Sequence, residues 1–320
     1  MNKADIARPA THPNPAHAIG LGPPRRGFAM GLLVISSVVI SFGGLVLRNI
    51  EDADSWQINL YRALALTTTI SLILLFQYRR HTLSHVRKIG RAGLVGGALL
   101  SVAGIAFLQA FIHTTIANAL FTMSAIPFIT AGLAYLFLKE RLHRATLITM
   151  IAAAAGIVIM MANGFGTGSV YGNAMALVTA VCFSSFAVIV RGNRQIDMLP
   201  TLLVSGVIIA LVSLAFRVND LGISLHDLLL CFLWGGVLSG VANWTFIVAS
   251  RHLVAAEVTF FMLLEFALGP IWVWLFVAEV PSQATLVGGA LVIASVAVHA
   301  FNELRRSRRL VRRGGVPPPS

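Results

Sequence analysis

Two glutamates stand eight residues apart in the apolar run AEVTFFMLLEFALGP, residues 256–270. A carboxylate in such surroundings is costly and needs a reason. Glu257 falls at the start of the run. There the positive end of a helix dipole favours it, and a capping or interfacial role accounts for it. Glu265 lies deeper, about 15 Å along a helix at 1.5 Å per residue. No cap is expected at that depth, so its carboxyl is protonated, paired with a cation such as Arg62, or in contact with water. Proton exchange, or capture of an amine, is the chemistry such a group offers.

Other polar residues interrupt apolar runs in the same way. Asn59 and Arg62, in WQINLYRALAL, are three apart and share one helix face. Arg62 is about 9 Å into its run. It either snorkels to the surface or faces a wet cavity and binds a carboxylate from ligand or protein. Gln109 and His113 are four apart and share a face. Asn118 opens the next run. Asn243 and Trp244, in GVANWTF, can hydrogen-bond and stack a small polar or aromatic ligand; Asn243 can equally bridge two helices. Ser36, Ser41, Ser184 and Ser185 offer weaker hydrogen bonds. The candidate binding residues are therefore Glu265, Arg62, Asn59, Gln109, Asn118, Asn243, Trp244 and Glu257.

The elements that hold these residues follow from composition. Only 11% of the 320 residues are charged and 57% are apolar, with a mean hydropathy of +0.83. Soluble domains carry about 25% charged residues. Such a chain is an all-α integral membrane protein, because lipid is a solvent that accepts this much apolar surface. Ten runs are long enough to span: 28–47, 57–78, 92–112, 116–138, 145–163, 171–190, 199–216, 227–249, 255–278 and 284–301. Pro127 and Pro270 are expected to kink the fourth and ninth, each freeing a carbonyl four residues earlier. Cys182 and Cys231 lie inside spans and read as small hydrophobes, not as a disulfide or metal pair.

Orientation comes from Lys and Arg. With the N-terminus inside, twenty-one fall on the inner side and two, Arg48 and Arg217, on the outer. That bias predicts cytoplasmic termini and an even number of spans. The net charge of +12 is thereby a topology signal rather than a nucleic-acid footprint. The basic run ELRRSRRLVRR is a topology anchor that can also touch anionic lipid. Residues 1–27 read as a disordered cytoplasmic tail. No A-x-A-like site closely follows the first run, which predicts a retained span.

The chain repeats itself at an offset of 139. LVGGALLSVAGIAF, 94–107, lies over LWGGVLSGVANWTF, 233–246, with seven of 14 positions identical. The same offset pairs His113 with His252, Met123 with Met262, Glu140 with Glu279 and Asn118 with Glu257. Glu265 falls on Ile126, so it is no requirement of the repeat. Five spans per repeat is odd, so the halves enter the membrane from opposite sides, an inverted repeat typical of secondary transporters. The glycines of both copies form small-xxx-small faces that let backbones approach, as static packing or as sliding surfaces.

The duplication, the turns LFLKERL and LFVAEVP, and the Gly-containing fifth helices AAAAGIVIM and GGALVIASV resemble the EamA-type domains of the drug/metabolite transporter superfamily, over roughly residues 28–301. The resemblance implies a repeat at 28–163, a second at 171–301, a basic tail at 302–320, and a cavity lined by spans 1, 3, 4, 6, 8 and 9. It implies a secondary active transporter of the inner membrane, moving a small amino-acid-like or drug-like metabolite, by default outward, with protons as a candidate coupling ion. A flippase for lipid-linked groups on the same fold is the alternative. Glu140 and Glu279 read as turn-fixing residues outside the substrate site. No H-E-x-x-H, D-D-x-x-D, G-x-S-x-G or G-x-x-x-x-G-K-[ST] motif is present, so neither an enzyme, a cofactor nor a nucleotide-driven pump is expected.

Overall fold

A computed structural model describes residues 26–79, 82–114, 119, 122–160, 170–217, 221–277 and 283–312. Asn118, Glu279, residues 1–25 and residues 313–320 lie outside these. The described chain is helical. Spans 1 to 3 correspond to α1 (Arg26–Ser41) with α2 (Gly43–Arg48), α3 (Ser55–Tyr78) and α5 (Gly90–His113); the short α4 (Thr82–Lys88) links the last two. Then come α6 (Ile126–Leu138), α7 (Arg144–Met160), α8 (Val170–Gly192) and α9 (Thr201–Arg217). The eighth passage is α10 (Leu225–Phe232), a π-helical stretch (Leu233–Leu238) and α11 (Ser239–Ser250). The last elements are α12 (Ala255–Phe261), α13 (Leu263–Val277) and α14 (Gln283–Arg312). Five of these passages are long and apolar enough to cross a membrane, and shorter apolar helices accompany them. Their outward faces carry large apolar side chains such as Phe76, Leu136, Phe137 and Phe216, as a lipid-facing surface requires.

α3 begins where the sequence provides a cap. Asp54 accepts from the Trp56 and Gln57 N–H groups at 2.8 and 2.9 Å, while Gln57 accepts from the Asp54 N–H. This reciprocal box satisfies donors that a helix start leaves orphaned. α3 then runs 24 residues, about 36 Å at 1.5 Å per residue, between two polar clusters. At its start, the Asp227 carboxylate accepts from three successive N–H groups, those of Glu51, Asp52 and Ala53, at 3.0–3.2 Å. Arg217 pairs with Asp54 there. At its far end, Tyr78 donates to Asp197, which also pairs with Arg251 at 2.7 Å. The core lies between, with Phe186 and Phe246 stacked across α8 and α11.

Two expected spans differ from continuous helices. The fourth is interrupted at Ser124–Ala125, and α6 starts at Ile126 with Pro127 in its first turn. Pro127 therefore opens a helix, where its missing N–H costs nothing, instead of kinking one. The ninth breaks at Met262, between α12 and α13, and the helix runs unbroken through position 270. The run Val258–Phe261 is β-branched and aromatic, which holds a helix weakly. Thr259 bends it further by donating back to the Ala255 and Ala256 carbonyls. Beyond the break, the Glu265 N–H bonds to the Met262 carbonyl, and Ser37 Oγ from α1 donates to the Phe261 carbonyl at 3.0 Å. Across the bundle, Ser184 Oγ from α8 donates to the Ile126 carbonyl at 3.1 Å. Each broken span is thus tied by a serine from a neighbouring helix.

Candidate functional site

The break at Met262 changes the standing of Glu265. It sits in the first turn of a new helix, α13, half-buried. A helix N-terminus favours its negative charge there, so the mid-span position does have a dipole that the sequence concealed. Among the described residues its carboxylate has no hydrogen bond and no ion pair. In particular it is not paired with Arg62.

Arg62 has another partner. Its guanidinium lies 3.8 Å over the Trp234 ring, an attraction that desolvation strengthens. This rules out free snorkelling as its whole account. Nε and Nη1 are buried and make no hydrogen bond among the described residues. Asn59, one turn earlier on the same face, is 2% exposed, and its Nδ2 is likewise unpartnered. The backbone allows this closeness: a Cβ on Gly235 would strike the Arg62 Cα, C and O atoms. Gly43 also lies against Trp234, where a Cβ would stand 2.8 Å from the indole Nε1.

The remaining candidates are scattered. Gln109 is buried and its Nε2 donates to Ser55 Oγ at 3.4 Å, near the same end of α3. His113 Nδ1 is 3.0 Å from the Gln109 carbonyl on its own helix. Asn243 bridges no helices among the described residues: its Nδ2 donates to the Ser239 carbonyl, one turn back, at 2.8 Å. Trp244 is 36% exposed. Glu257 is in the first turn of α12, as read from sequence, but is buried instead of interfacial. Three serines expected to face a ligand donate to protein carbonyls instead: Ser41 to Val38, Ser184 to Ile126 and Ser185 to Val181. Ser41 also accepts from Trp272 Nε1 at 2.6 Å, and the Trp272 ring stacks on Phe42.

Sequence reasoning missed the cluster around Glu140. Its carboxylate takes Arg191 Nε at 2.6 Å and the Ala255 N–H at 3.2 Å, capping α12 from another part of the chain. Arg191, 3% exposed, also donates to the Ser250 carbonyl. A turn-fixing role for Glu140 is what the sequence suggested; its partners were out of reach, being 51 and 115 residues away. Burial and the neighbouring Arg251 and Arg191 charges hold the His252 imidazole below its usual pKa. Trp234 was missed too, although the aligned repeat displays it: LVGG in one copy is LWGG in the other. No group of three or more His, Cys, Asp or Glu suited to a metal occurs among the described residues.

Comparison with known proteins places a family domain in the first part of the chain. The EamA-like transporter family model matches residues 27–162. No curated protein matches. Twenty-nine chains of solved structures match in fold. One, a protein crystal structure, superposes with a TM-score of 0.74 at 17% sequence identity, covering 86% of this chain and 97% of that one. At that identity the likeness speaks for the fold alone. Residues 27–162 are an EamA-like transporter family domain, and that membership implies a multi-pass membrane transporter and not an enzyme.

Proposed function

We propose that the protein is a secondary active transporter built from two inverted five-helix repeats, residues 28–163 and 171–301. It crosses the inner membrane ten times with both termini in the cytoplasm. It exports a small amino-acid-like or drug-like metabolite by rocking one repeat against the other. The observation that carries this reading is the packing of two helix crossings under one offset. Gly96 and Gly97 of α5 lie against Thr201 and Val204 of α9; Gly235 and Gly236 lie against Arg62 and Ala65 of α3. Adding 139 to Arg62 and Ala65 gives Thr201 and Val204. Other neighbours follow the same exchange of halves: α5 packs on α8 as α1 does on α11, and α6 packs on α8 as α13 does on α1. The fourth and ninth passages are also interrupted at nearly equivalent places. Discontinuous helices at repeat interfaces are where transporters of this kind bind cargo and coupling ions.

Glu265, at one such interruption, is the proton-coupling group in this reading. The test is uptake or counterflow in proteoliposomes holding the purified chain, across an imposed pH gradient. Wild-type protein accumulates its cargo with the gradient. Glu265→Gln should retain exchange of labelled cargo and lose acceleration by the gradient. Gradient-driven transport undiminished in Glu265→Gln would refute the coupling role.

A further inference from the structure

The crossing of α3 over the π-helical stretch carries polar groups that the fold does not require. The same crossing exists in the other half, and there Arg62 is replaced by Thr201, Trp234 by Val95 and Asn59 by Met198. Packing is therefore achieved without a cation, an indole or an amide. A buried cation without a counter-ion is costly in a membrane protein, and so is an amide N–H without an acceptor. A feature that costs stability and is dispensable for packing points to a ligand.

The unmet groups name that ligand's chemistry. Arg62 Nε, Arg62 Nη1 and Asn59 Nδ2 are all donors. What is missing is an acceptor, and beside a guanidinium the strong acceptor is an oxyanion. Among the described residues the protein does not supply one. The one acid in the facing passage Leu225–Ser250, Asp227, spends its two oxygens on the backbone N–H groups of residues 51–53. Trp234 packs on the guanidinium through its ring and supplies it no hydrogen-bond acceptor. The π-helical stretch that presents Trp234 is itself of a kind concentrated at functional sites.

We propose that Arg62, Asn59 and the Trp234 indole form the subsite for a carboxylate carried by the cargo, which makes the cargo an organic anion or a zwitterion. The identification of the ligand as cargo rests on the transporter reading; the oxyanion site does not. The donor atoms are sealed from solvent in this conformation, so a ligand reaches them only when α3 and the π-helical stretch part. A phosphate of a lipid headgroup has the same chemistry, and the experiment separates the two sources.

Thermal unfolding of the full chain in neutral detergent is measured with phenylacetate, with its neutral isostere phenylacetamide, and with phosphatidylglycerol in mixed micelles. Phenylacetate should raise Tm progressively with concentration, and the amide should leave it unchanged. Arg62→Met, which removes the charge and the unpaired donors together, should abolish the shift. If Arg62→Met cannot be purified, Arg62→Lys should reduce the shift, because an ammonium loses the planar fork. An unchanged phenylacetate response in the variant, equal response to the amide, no response to phenylacetate, or stabilisation by phosphatidylglycerol alone would each overturn the proposal. Proteoliposome counterflow of labelled phenylacetate then tests the other layer: an Arg62-dependent shift without counterflow keeps the oxyanion site and removes the transporter reading.

Discussion

The two glycine crossings of the bundle share their spacing but not their chemistry. At the first, a Cβ on Gly97 would meet the Val204 side chain at 2.6 and 2.7 Å and the Thr201 carbonyl at 3.0 Å. At the second, a Cβ on Gly235 would meet the backbone of Arg62 itself. The closest contacts at one crossing are with a side chain that can be trimmed, at the other with main chain that cannot. Small residues permit both approaches, as between membrane helices generally. Only at the second does the approach bring a guanidinium onto an indole. The same packing solution thus serves as plain structure at one crossing and as the frame of a polar cluster at the other.

Substitution at the glycines should break this comparison most strongly. Gly235→Ala should cost roughly 2–3 kcal/mol, at the upper end for overpacking, read as a drop in Tm in detergent, with no side-chain change able to restore it. Gly97→Ala should cost about 1–2 kcal/mol, and adding Val204→Ala should recover part of the loss. A side-chain rescue of Gly235→Ala would show that the crossings are alike. A smaller effect is expected at Thr201, the counterpart of Arg62. Its Oγ1 is buried without a partner among the described residues, so Thr201→Val should be neutral or stabilise by up to about 1 kcal/mol, with the response to carboxylates intact. The smallest concerns Ser101, whose hydroxyl donates to Gly97 at 2.7 Å and across to Ser205 at 3.2 Å. Gly240 stands at the equivalent place. Ser101→Ala should cost about 0.6 kcal/mol, the usual worth of an interhelical hydrogen bond in a membrane. A loss several times larger would mean that the first crossing depends on polar contacts after all.

Much of the architecture was legible because hydropathy operates over a window of residues. The apolar runs lie in contiguous sequence, and they appear as helices. The prolines misled because proline is tolerated at a first helical position as well as at a kink. Pro127 opens α6, while the ninth passage breaks eight residues before Pro270, at Met262. That shift moved Glu265 from mid-helix to a helix start.

By itself the sequence determined an all-helical membrane chain and where its polar residues interrupt apolar runs, since both depend on composition along short stretches. Only the tertiary structure decided the pairings: Arg62 with Trp234, 172 positions apart in the chain, Glu140 with Arg191 and the start of α12, Asp227 with the turn before α3. The physical reason is that a charge in a poor solvent is governed by whatever lies within a few ångströms, and in a bundle those neighbours come from distant helices.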